Sequence, residues 1–210
     1  ATQELSILAQ NLPIRDESRT LGEFDLIIGH NDGNLHLEAA VKFYLSSQNS
    51  SEWSTWVGPT SNDRLDLKLS KLIDQQSQLS QLDVAKDTLR EKDLPESLES
   101  KIYLKGRFYY HFASQDGPSP LNANPKHLKG WWMKRSEVKN LLSQKSLYVP
   151  IEKTHSFSPV ETDIESMTYS QVLEFTDSLT GTHPFQIAEL CPISLAEISR
   201  GFIVRNDWPE

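Results

Sequence analysis

Residues 22–45, GEFDLIIGHNDGNLHLEAAVKFYL, set Glu23, Asp25, Glu38 and Lys42 inside two apolar runs that a folded chain tends to bury. A charge buried alone costs several kcal/mol, so such residues are paired or bind something. Asp32-Gly33 between the runs is a strong signal for a two-residue hairpin turn. Closing there would pair Asn31 with Asn34, set Asp25 opposite Ala40, and set Glu23 opposite Lys42. Glu38 would then lie diagonally from Asp25 on the same face, within about 5–8 Å. Along residues 35–45 the odd positions are apolar and the even ones include His36, Glu38 and Lys42, so alternation predicts one core face and one polar face. A slip of one residue would turn the charges onto the apolar face, so both strands favour this pairing.

Two carboxylates and an ammonium on one face suit phosphodiester hydrolysis. Asp25 and Glu38 can hold Mg²⁺ or Mn²⁺, since a hard cation takes oxygen ligands and keeps several waters. Such an ion acidifies bound water, and Lys42 can orient that water or neutralise charge on the phosphoryl group. Glu23 is the candidate for an outer or second-metal acid. The alternative is a Glu23–Lys42 ion pair with Asp25 and Glu38 solvated.

The segment GEFDLI, followed by a turn and a strand ending in Val41-Lys42, resembles the core of the PD-(D/E)XK nuclease-like superfamily. RTLGEFDLI, LHLEAAVKFYL and VGPTSNDRLDLKLSKLIDQQ look more narrowly like an uncharacterised bacterial family, domain of unknown function 1853. By resemblance, Asp25 matches the metal-binding aspartate and Lys42 the lysine. The acid usually found two residues before that lysine is Ala40 here, with Glu38 two further back. The resemblance implies an α/β protein with a central mixed sheet flanked by helices. Residues 1–100 would carry a restriction-endonuclease-like core, and residues 101–210 an α+β elaboration continuing or packing on the same sheet. It also implies a helix before the first strand; none is legible, so an upstream segment is expected.

With 210 residues the chain can bury about 70% of its unfolded surface and needs no disulfide. Its single cysteine, Cys191, excludes an internal disulfide and a cysteine-based zinc site. No apolar run reaches membrane length and no signal peptide is evident, so a cytoplasmic protein without membrane contact is expected.

The net charge of −8 opposes general nucleic-acid binding, which rests on phosphate neutralisation. Cations nonetheless gather in KIYLKGRFYYHF and KHLKGWWMKR. Lys105, Arg107, Tyr109, Lys129, Trp131, Lys134 and Arg135 are therefore the candidate nucleic-acid contacts, with aromatic rings available for stacking. Adjacent tryptophans in a strand point to opposite faces, which predicts one of Trp131 and Trp132 in the core and the other exposed.

Elsewhere, residues 4–14 predict a strand or short helix, and about 63–80 a helix from leucines at helical spacing. DVAKDTLREK predicts a short helix, and 168–179 another. KIYLKGRFYYHF, GWWMKR, SLYVPI, FQIAEL and GFIVR predict strands. Gln75 and Gln76 read as surface residues, and His30 and His36 as flanks of the hairpin. No nucleophile elbow, Walker loop or dinucleotide fingerprint occurs. Two functions stay open: a metal-dependent nuclease, or a catalytically silent module of the same fold that binds nucleic acid or protein.

Overall fold

The computed structural model describes residues 5–160, 165–179, 181 and 183–210. They form an α/β fold on a mixed sheet of nine strands. The strands are β1 (Ser6–Arg15), β2 (Thr20–His30), β3 (Gly33–Ser46), β4 (Trp56–Val57), β5 (Glu99–His111), β6 (Leu128–Lys134), β7 (Leu147–Ile151), β8 (Phe185–Leu190) and β9 (Glu197–Val204). The helices are α1 (Leu65–Asp74), α2 (Asp83–Glu91), α3 (Val138–Leu141) and α4 (Tyr169–Ser178). No helix among the described residues is long and apolar enough to cross a membrane. Glu4, at the start of the first expected element, lies outside the described residues.

The chain divides into two compact units that interleave in sequence. One runs to Lys42 and resumes over Asp66–Lys105; the other comprises Phe43–Leu65 and Gly106–Glu210. β3 and β5 each contribute residues to both.

In the first unit β1 and β2 form an antiparallel pair, Leu12 opposite Phe24 and Gln10 opposite Leu26. Between those pairs stand Asn11, at a φ of 49°, and Asp25. A left-handed residue within a strand breaks the alternation of faces, much as a bulge does. Hence Phe24 and Ile27, three residues apart, are both wholly buried in one cluster with Leu12 and Ile14. Leu79 of the turn after α1, and Ala85 and Leu89 of α2, close over that cluster. The expected helix from 63 to 80 is α1 followed by a 3₁₀ segment, Gln76–Gln81. Its apolar spacing is only partly used: Leu65 and Leu72 are buried, while Ile73 is exposed.

In the second unit β6 lies parallel to both β5 and β9, and β9, β8 and β7 continue antiparallel. α3 and α4 cover one face, where Trp131, Met133, Val138, Val172, Ile187 and Ile203 meet. On the other face Trp132 packs with Leu45, Tyr109, Phe202 and Trp208. The two tryptophans do point to opposite faces, but each face is a core, so neither is exposed (1% and 6%). Both indole N–H groups are satisfied, Trp131 donating to Ser199 Oγ at 2.8 Å and Trp132 to the Ser46 carbonyl at 3.1 Å. α4 starts with a capping box in which the Gln171 N–H donates to Thr168 Oγ1 and the Gln171 side chain accepts from the Thr168 N–H.

Candidate metal site

The hairpin that carries the four charges closes one step earlier than its sequence suggests. Asn31 and Asp32 form the turn, and His30 pairs with Gly33. Gly33, at a φ of +145° that side chains disfavour, therefore closes the turn instead of occupying it. The His30 imidazole holds the turn by accepting the Asp32 N–H at 3.1 Å. The ladder runs from there to Leu26 opposite Leu37. The pairing differs by two residues from the expected one, so Glu23 is not set against Lys42. It lies across β1 from Pro13 and is exposed.

The faces of β3 also differ from expectation. His36 and Glu38 are buried (0% and 1% exposed), whereas Val41 of the apolar series is 58% exposed. The physical reason is that the polar residues satisfy one another. His36 Nε2 and Glu38 Oε1 are 2.8 Å apart, and His36 Nδ1 reaches Ser100 Oγ at 3.3 Å, which in turn meets Ser80 Oγ at 3.3 Å. The Phe24 ring stands edge-on to the imidazole, centroids 4.5 Å apart. A paired carboxylate in such a place can be retained; an unpaired one could not. His36 thus orients Glu38, a role that the hairpin-flank reading missed. Its sequence signal was present, because two residues apart in a strand means one shared face.

Asp25 lies in β2 between Phe24 and Leu26, across from Asn11 of β1, and its Oδ2 accepts the N–H of Ala39 at 2.9 Å. Its carboxylate therefore lies against the peptide that follows Glu38. Glu38 keeps one oxygen unused: Oε2 is buried and accepts no hydrogen bond from the described residues. A buried carboxylate oxygen without a donor is costly unless something binds it. Lys42 is half-buried four residues further along the same strand.

No group of three or more His, Cys, Asp or Glu side chains able to hold a metal occurs among the described residues. What the hairpin offers is a pair of carboxylates from neighbouring strands. That set does not suit zinc, since His36 spends its Nε2 on Glu38. Carboxylate oxygens are the ligands that hard cations take.

Not all of the candidate nucleic-acid contacts are surface residues. Lys105 is exposed, its ammonium 5.8 Å over the Tyr103 ring. Tyr109 and Trp131 are core residues (0% and 1% exposed), so neither forms an open stacking platform. Burial raises the pKa of the Tyr109 phenol, whose oxygen accepts from Gln186 Nε2 at 2.6 Å. Arg135 donates to the carbonyls of Leu179, Gly181 and His183, which makes it the anchor of the segment after α4. Lys134 gives its backbone N–H to Glu137 at 2.7 Å. Arg107 and Lys129 lie together, the Arg107 guanidinium donating to the Lys129 carbonyl.

A family model described as "Domain of unknown function (DUF1853)" matches residues 1–204. Neither the curated proteins nor the solved structures contain a significant match.

Proposed function

Because the chain belongs to the DUF1853 family, whose description assigns no activity, its chemistry is read from its own residues, and we propose a metal-dependent nuclease of the PD-(D/E)XK kind. The observation that carries the reading is the spare, buried oxygen of Glu38, together with an Asp25 carboxylate that accepts the N–H of the next residue, Ala39. Asp25 and Glu38 would hold Mg²⁺ or Mn²⁺ between them. The ion, when bound, supplies an acidified water and positive charge for the phosphoryl oxygens. His36 fixes the Glu38 carboxylate through one oxygen and leaves the other without a donor, and the Ala39 N–H fixes Asp25 through its Oδ2. Lys42 would neutralise charge growing on the phosphate, and Glu23, exposed at the strand edge, would act only from outside. Nucleic acid is the proposed substrate, and a cytoplasmic location accompanies it.

A second reading has specific support. Ala40 stands where the superfamily places an acid, and Glu38 is almost wholly shielded from solvent. Both would follow if the fold had been kept as a silent module that holds nucleic acid or a protein.

Incubation with single-stranded, duplex and branched DNA and RNA separates the two. The nuclease reading expects cleavage that needs Mg²⁺ or Mn²⁺ and stops in EDTA. It expects a loss of about 10²-fold or more in Asp25→Asn and in Lys42→Ala, with circular dichroism unchanged. No cleavage of any substrate leaves the silent module, and metal-independent cleavage contradicts both readings.

A further inference from the structure

Apart from the hairpin, the second unit contains a cavity of about 220 Å³ whose lining includes Arg107, Lys129, Tyr110, Trp131, Glu197 and Ser199. Its charges are unevenly matched. Glu197 is committed to Arg200, which donates to Oε1 at 2.6 Å through Nε and to Oε2 through Nη2. Arg200 is itself buried and also donates to the carbonyls of Ser156 and Ser158, so that pair is closed.

Among the described residues Arg107 has no such carboxylate partner. Its guanidinium donates to the Lys129 carbonyl at 2.9 Å through Nη1, while Nε is buried with no acceptor among the described residues. Burial lowers the pKa of this guanidinium, the mark of a cation partly stripped of water, and Glu197 offsets that only in part. The Lys129 ammonium stands 5.2 Å over the Tyr110 ring, a cation–π contact that holds it beside the same cavity.

We propose that this cavity binds a phosphate group of a nucleotide, with Arg107 and Lys129 as its two cationic contacts. A guanidinium presents donors as a fork that matches phosphate oxygens in pairs, and an ammonium adds a point charge. The volume corresponds to several waters at about 30 Å³ each, more than a monatomic anion needs. A free mononucleotide and a nucleic-acid strand offer the same phosphate chemistry. The proposal stands independently of the hairpin: it needs no metal and uses other residues.

The test uses the full chain in EDTA, so that failure of the metal reading does not affect it. Fluorescence anisotropy follows a labelled, 5′-phosphorylated dodecathymidylate, and calorimetry follows AMP. Saturable binding of either is expected, weakened about tenfold in Arg107→Met and severalfold in Lys129→Gln. Binding of AMP alone identifies a free nucleotide as the source. Binding of the strand, displaced by AMP, identifies nucleic acid. Should Arg107→Met fail to fold, Lys129→Glu at an exposed side chain replaces it, with at least tenfold weakening expected. Absence of saturable binding by both probes, or equal binding by wild type and folded variants, overturns the proposal.

Discussion

Replacing His36 with leucine is expected to destabilise the chain by about 3–5 kcal/mol. The histidine is wholly buried and holds Glu38 Oε1 at 2.8 Å, while Glu38 Oε2 already lacks a donor. Its removal leaves a carboxylate in the core with neither oxygen satisfied by His36 or by the unused side. The companion result is what identifies the cause. His36→Leu combined with Glu38→Leu is expected to recover most of the loss, because a buried hydrogen-bonded pair replaced as a whole by apolar residues is near neutral. Urea unfolding of both variants measures the two quantities. If the double variant is as unstable as the single one, the loss comes from packing against Phe24 and not from an abandoned charge.

The second large effect is expected at Gly201. This residue pairs with Trp131 across the parallel β6–β9 ladder. A Cβ there would lie 2.1 Å from two atoms of the Trp131 indole and 2.4 Å from its carbonyl oxygen. Relief would require the indole to move, yet Trp131 is buried and its N–H is fixed on Ser199. Gly201→Ala is therefore expected to lose stability at or beyond the upper end of the range of about 1–3 kcal/mol seen for overpacked cores. A loss below about 0.5 kcal/mol in chemical denaturation would mean that the β6–β9 contact is looser than described.

The contrast between these residues and their sequence shows what was legible. Alternation located β5 and helical spacing located α1, because each of those patterns reports directly on a half-buried element, and β6, β8, β9, α2 and α4 also fall where the sequence predicts them. The hairpin was legible as a hairpin, but its register was not. Asp32-Gly33 looks like the turn itself, whereas the structure uses glycine's freedom at the closing residue. The buried face of β3 was misassigned for a related reason: an apolar-minus-polar count cannot know that His36, Glu38 and Ser100 will satisfy one another. Ser100 lies 64 residues from His36, so only the fold brings it there. Asn11 breaks the alternation of β1 and β2 through its backbone angle, which no composition signals. The interleaving of the two units was invisible because β3 and β5 read as continuous strands. For the candidate site, the sequence supplied the residues, and the fold supplied what orients them.

Direct titration of Mn²⁺ into the full chain by calorimetry, with Asp25→Asn and Glu38→Gln beside it, addresses the Asp25–Glu38 centre without any substrate. One saturable ion per chain, lost in both variants while their circular dichroism matches wild type, is the result that the nuclease reading predicts. Heat that is absent in the wild type, or unchanged when either carboxylate is replaced, contradicts it.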